Sequence, residues 1–169
     1  MLVIFGSGNH WISRTIKRST NSIWTHCGSI DEEDNNVIES LGPPVREWLK
    51  HSLLGIAYKK PYGVVKTPLA DFIARYPLVD IRQTDGDINI ARARIGMPFD
   101  FIGLICAYIK LNYHDPLKDF CTETTAHAMK CIHSYLAHHQ SPGGIYWLCE
   151  PLPDNHPYKL MVEQVTGTK

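Results

Sequence analysis

The chain carries no surplus of charge. Lys and Arg number 17, Asp and Glu number 17, and the formal net charge is zero. No basic excess argues for nucleic acid as a partner, and no acidic excess argues for disorder. No apolar run reaches the length of a membrane span. The apolar start Met1-Leu2-Val3-Ile4-Phe5 meets Gly6 well short of a signal-peptide core. A soluble, cytoplasmic protein is therefore expected, without a transmembrane segment. Internal repeats, low-complexity segments and a dividing linker are also missing, so 169 residues are expected to form a single domain over 1–169. The five cysteines (Cys27, Cys106, Cys121, Cys131, Cys149) include no C-x-x-C pair. Their odd number, without a secretory signal, predicts mostly free thiols in a reducing compartment. His133, His138 and His139 lack cysteine or acidic partners at zinc-ligand spacing and are read as a solvated helix end. Gly6-Ser7-Gly8 lacks the third glycine and the Lys-Ser/Thr of a phosphate loop. No metal and no cofactor are expected.

What is present centres on Asp119-Phe120-Cys121-Thr122-Glu123. The pattern predicts a helix start with Asp119 as N-cap and Glu123 favoured by the positive end of the helix dipole. A thiol in that first turn has its thiolate stabilised by the dipole and by backbone N–H groups without intrahelical partners.

Strands are expected at Leu2–Phe5, Ser22–Ile30 and Val37–Ser40. The acids and amides of 31–36 make the last two a β-hairpin. His26 then lies on one arm and Glu39 on the other, and strands about 5 Å apart let a carboxylate reach an imidazole. Helical turns are expected from Trp11 to Lys17, and a helix from Val45 to Leu54. A further strand is expected around Gly63–Lys66. Thr67 as N-cap and Pro68 at the first helical position open a helix to about Tyr76. Leu78–Arg82 reads as a strand and Asp87–Ile95 as a helix. Phe99–Leu111 reads as a buried helix, and a helix runs from Phe120 to about Leu136. Strands are expected at Ile145–Cys149 and Lys159–Val165, with the proline-rich segment 151–157 irregular between them.

Four short motifs follow one another along the chain: Trp24-Thr25-His26-Cys27-Gly28-Ser29-Ile30, Val37-Ile38-Glu39-Ser40, Ala93-Arg94-Ile95-Gly96-Met97-Pro98-Phe99-Asp100, and Phe120-Cys121-Thr122-Glu123. In this order they resemble the permuted branch of the NlpC-type papain-like superfamily. That branch includes bacterial YiiX-like proteins and is related to lecithin:retinol acyltransferase-like enzymes. The resemblance spans roughly residues 1–136. It implies an α+β, circularly permuted papain-like fold, with an antiparallel sheet packed against helices. It also implies Cys121 as nucleophile, His26 as base and Glu39 as the polar group that orients His26. The chain departs from the family pattern at Cys27, where a small aliphatic residue is usual, at Phe99 in place of Tyr, and at Thr122 where Ser is common.

The chemistry of such a set is that of covalent catalysis. A Cys121 thiolate attacks a carbonyl carbon, and His26 holds the thiol deprotonated and then protonates the leaving group. Glu39 fixes the tautomer of the imidazole and stabilises its cation. The oxyanion is expected against the Cys121 N–H. The expected function is a cysteine hydrolase acting on an amide or peptide bond, the partner being a peptide, amide or acyl substrate. Two alternatives are a thioesterase or lipid acyltransferase with the same three residues, and a non-catalytic papain-like binding domain. Lipid chemistry would favour an exposed apolar patch near the site.

Overall fold

The protein was analysed as a computed structural model, which describes residues 1–55, 62–108, 111, 115–132, 137 and 140–167. Six strands, β1 (Leu2–Ser7), β2 (His26–Asp31), β3 (Asn36–Leu41), β4 (Gly63–Pro68), β5 (Leu78–Gln83) and β6 (Glu150–Pro151), form one sheet in the order β4-β3-β2-β1-β5-β6. Every neighbouring pair is antiparallel. The helices are α1 (Trp11–Thr20), α2 (Val45–Leu54), α3 (Leu69–Arg75), α4 (Ile88–Ala93), α5 (Phe101–Tyr108), α6 (Cys121–Ala128), α7 (Pro142–Leu148) and α8 (Pro157–Thr166). The class is α+β, as expected.

Strand alternation sends side chains to two cores. Leu2, Ile4, Ile30 and Val37 meet Phe72 and Ile73 of α3 and Val162 of α8 on one face. Val3, Phe5 and Cys27 meet Ala126 of α6 and Ile145 of α7 on the other. β1 lies between these cores and is buried along its whole length, so its apolar run Leu2-Val3-Ile4-Phe5 shows no polar alternation. Each fully buried side chain of this kind contributes about 1.5–3 kcal/mol. The helix α2 and the hairpin of β2 and β3 stand where the sequence places them.

Several expectations are corrected. Ile145–Cys149 is not a strand. Ser141 caps α7 by accepting from the Gly144 N–H (3.0 Å), and Pro142 takes the first turn, where its missing N–H costs nothing. Lys159–Val165 is not a strand either. Pro157 opens α8 and Gly167, in the left-handed region at φ 67°, ends it. Thr67 lies in β4, where it pairs with Val37, and does not cap α3; Pro68 ends that strand opposite Asn36 and stands at the N-cap position, with Leu69 the first helical residue. α6 ends at Ala128, since Met129 turns extended and bridges Gly86. Residues 133–136 of the longer expected helix, and the histidines at 133, 138 and 139, lie outside the described residues. α5 starts at Phe101, and its Ile102 and Ile105 are 47% and 43% exposed, so this helix is not buried. Its contact with α2 is the stack of Phe101 on Trp48, with centroids 4.3 Å apart.

Candidate active site

The hairpin sets the first two site residues. β2 and β3 pair at Ser29↔Ile38, Ile30↔Val37 and Asp31↔Asn36. One step further along that register, Gly28 faces Glu39. A Cβ on Gly28 would stand 3.2 Å from Glu39 Cβ and 2.5 Å from Val37 Cγ1. The missing side chain leaves Glu39 room to lean diagonally across to His26. The resulting His26 Nε2···Glu39 Oε2 contact is 2.6 Å. Glu39 is 0% exposed and His26 9%.

Two neighbours that sequence reasoning did not single out complete this side. Arg75, at the end of α3, donates from Nη1 to both Glu39 oxygens (2.9 and 3.0 Å). The Tyr76 ring stacks on the His26 ring with centroids 5.7 Å apart and planes 20° apart. Burial works against the Glu39 charge, but His26, Thr67 and Arg75 overcome it and hold the carboxyl below its usual pKa. Burial likewise works against the imidazolium. Tyr76, Cys121 and Glu39 outweigh it and hold the His26 pKa well above its usual value.

Cys121 arrives from the other face of the sheet, at the first position of α6. The N-cap is Phe120, not Asp119. The Asp119 carboxylate is drawn instead to Arg94 and to the Thr124 hydroxyl (3.1 Å). The backbone of Asp119 is pinned three ways. Its N–H donates to Pro98 O (3.0 Å), and its carbonyl accepts from the Asp100 N–H (3.0 Å) and from Ser40 Oγ of β3 (2.7 Å). The Gly96-Met97-Pro98-Phe99-Asp100 segment therefore works as a brace. It is held to β4 by the Val64 N–H on Met97 O (2.9 Å) and the Gly96 N–H on Val64 O (2.8 Å). The brace sets where Cys121 stands relative to the strand that carries Glu39.

The thiol lies among hydrogen-bond donors. Beyond Ser29 the β2–β3 ladder stops, and the Cys27 N–H and thiol both favour the Cys121 thiolate. Cys27 Sγ also lies 3.8 Å from Cys121 O and 3.7 Å from Thr125 Oγ1. The Cys27 thiol hydrogen bond lowers the Cys121 pKa most. Burial opposes it, and the charge and hydrogen bond of His26 reinforce it, so the thiol stands well below its usual range. Burial, then the hydrogen bond to Cys121, pushes the Cys27 thiol well up. Of the two cysteines, Cys121 is the one whose thiolate form the surroundings favour. With Glu39 on Nε2, the imidazole has Nδ1 left for the sulfur. His26, Glu39 and Cys121 are thus brought together. A cleft of about 230 Å³ exposes both His26 and Cys121.

Glu123 is buried and accepts the Phe120 N–H (3.0 Å). Burial pushes its carboxyl up to about 8, aided by the nearby Asp119 and Asp100 charges, so the helix dipole does not keep it ionised at neutral pH. The folded pKa lies above the ordinary 4.5. The stability from this group is therefore fully present below about pH 4.5 and is lost as pH rises through about 8. Glu123→Gln keeps the acceptor and removes the proton. Its Tm is expected to match the wild type at pH 4, where the carboxyl is protonated in both states, and to exceed it by a margin that grows up to about pH 8 and persists at pH 9, measured by thermal unfolding across that range.

No protein-family model matches the chain, and no curated protein does. One solved structure shares its architecture. The chain is similar in fold to YiiX. The structure is that of the metalloprotein YiiX from Escherichia coli O157:H7, which aligns with TM-score 0.50 and 20% identity over 74% of this chain. The chain spans 61% of the YiiX structure. YiiX is described as a metalloprotein, so the fit of a metal to this chain was tested on its own residues. Among the described residues no three His, Cys, Asp or Glu side chains gather as ligands. At the His26–Glu39 pair a guanidinium already occupies both carboxylate oxygens and opposes a cation. The site residues do not fit a metal. No helix among the described residues is long and apolar enough to cross a membrane.

Proposed function

We propose that the protein is a cysteine hydrolase of the permuted papain-like (NlpC-type) fold, cleaving an amide or peptide bond with Cys121, His26 and Glu39. The observation that carries this reading is the buried 2.6 Å His26–Glu39 contact beside a thiol held below its usual pKa at a helix start. The Cys121 thiolate attacks the carbonyl carbon, and the C–S bond forms as the oxygen takes up the electron pair. The Cys121 N–H, in the first turn of α6, has no intrahelical partner and meets that oxyanion. The His26 imidazolium protonates the departing nitrogen as the C–N bond breaks, leaving a thioester and an amine. His26 then takes a proton from water. The hydroxide resolves the thioester to a carboxylic acid and restores the thiolate–imidazolium pair. Glu39 keeps the imidazolium charged and aimed throughout.

Selective alkylation tests this directly. Sub-stoichiometric iodoacetamide at pH 6, followed by peptide mass spectrometry, is expected to modify Cys121 well ahead of Cys27, Cys106, Cys131 and Cys149. At that pH an ordinary thiol is almost wholly protonated. Labelling shared evenly by the five cysteines would remove the basis for a privileged nucleophile.

A further inference from the structure

The cleft has two unlike ends, and they speak to the substrate. On one side of Cys121 a cavity of about 100 Å³ opens between α1 and α5. Ile16, Leu104, Ala107, Phe120 and Pro142 contribute its apolar walls, and no charged side chain is among the described residues lining it. It is smaller than the ~150 Å³ apolar cavities that accept benzene. A short or branched aliphatic group therefore fills it. On the other side of Cys121 the cleft runs past His26 to Arg75 and Tyr76. From Ser13, Arg75 and Tyr76 it continues into an open basin of about 730 Å³ that adds His10 and Arg14. No Asp or Glu is among the described residues lining either of these two parts. Arg14 is exposed and makes no ion pair among the described residues.

The direction of the substrate follows from the proton. The leaving nitrogen must lie next to the imidazole that protonates it. The basin reached past His26 is therefore the leaving-group side, and the apolar cavity, which His26 does not line, is the acyl side. We infer that the substrate is an amide with a short, uncharged, apolar acyl group and with an anionic group, carboxylate or phosphate, on its amine side. This rests on Cys121 and His26 acting as nucleophile and proton donor.

The test uses the full chain and a set of anilides. Isovaleryl amides of 5-amino-2-nitrobenzoate, of 5-amino-2-nitrophenyl phosphate and of neutral 4-nitroaniline, all with the nitro group para to the leaving nitrogen, are compared by kcat/KM, with succinyl analogues for the acyl side. Either anionic anilide is expected to exceed the neutral one by about fivefold, the scale of one exposed ion pair. The carboxylate and phosphate arms identify which anion is preferred. Succinyl analogues are expected to be poorer, since a carboxylate in the apolar cavity has no partner. Arg14→Glu is expected to invert the anionic-to-neutral ratio. Equal rates, a ratio unmoved by Arg14→Glu, or no turnover of any anilide would overturn the substrate class. Iodoacetamide labelling of Cys121 runs beside every assay. If labelling stays selective while the preference fails, only the substrate class falls; if labelling loses its selectivity, the nucleophile assignment falls.

Discussion

Cys121→Ala is expected to lower turnover of the isovaleryl anilides by about 10⁴-fold or more, because removing the nucleophile of a cooperating set leaves only binding and oxyanion contacts. The fold is expected to survive. Ala is the best helix former, the side chain lost is small, and the brace from Pro98 to Asp119 does not pass through the sulfur. Far-ultraviolet circular dichroism and Tm serve as the check on structure. Cys121→Ser is the sharper variant. It keeps size and a hydrogen-bonding atom, yet a hydroxyl is not ionised by the donors that ionise a thiol, so it is expected to be nearly as inactive as the alanine variant. Turnover by either variant near the wild-type rate would show that the chemistry lies elsewhere.

Glu39→Gln carries the second large effect, on both rate and stability. The carboxylate is fully buried and serves His26, Arg75 and Thr67 at once. A neutral amide leaves an imidazolium and a guanidinium without their counter-charge. Breaking a buried pair costs about 3–5 kcal/mol, and the lower end of that range applies here because Arg75 reaches solvent. The rate is expected to fall by about 10²–10⁴-fold, the scale of losing the group that orients a catalytic imidazole. The pH behaviour follows from the shifts. Glu39 is held below its usual pKa, so its contribution to stability is present above about 4.5 and is lost as pH falls through the lowered value. His26 is held above its usual pKa, so its contribution is present below about 6.5 and is lost as pH rises through the raised value. In the Gln variant the second effect shrinks, and alkylation of Cys121 at pH 6 is expected to slow as the imidazolium is lost. Chemical denaturation across pH 4–9, with alkylation rates, measures both.

Much of the site was legible because its cues are local. The alternation around His26, the polar loop 31–36 and the return through Glu39 specify a hairpin, and strand spacing then carries a carboxylate to an imidazole. The thiol at Cys121 was legible for the same reason, as part of a helix-start pattern. The parts missed depend on distant partners. Arg75 lies 36 residues from Glu39, and Cys27 lies 94 residues from the carbonyl that it approaches. No period or cap signals either contact. The tail went wrong differently. Ile145–Cys149 is too short for strand and helix periods to be told apart, and the cap that makes it helical lies outside it, at Ser141-Pro142. Asp119 failed as a cap because Arg94, a distant cation, claimed its carboxylate.

The parting of β2 from β3 has a consequence for solvent exchange. Past Ser29 the two strands no longer share a ladder, and the Cys27 amide turns to the Cys121 sulfur. Protection of that amide is therefore tied to the charge on one atom and not to strand pairing. Alkylating the sulfur, or protonating it at low pH, weakens the acceptor while leaving the sheet intact. The deuterium uptake of residue 27 thus reads the state of the nucleophile from within the backbone, with Ser29 and Ile30, still in the ladder, as the unmoving reference.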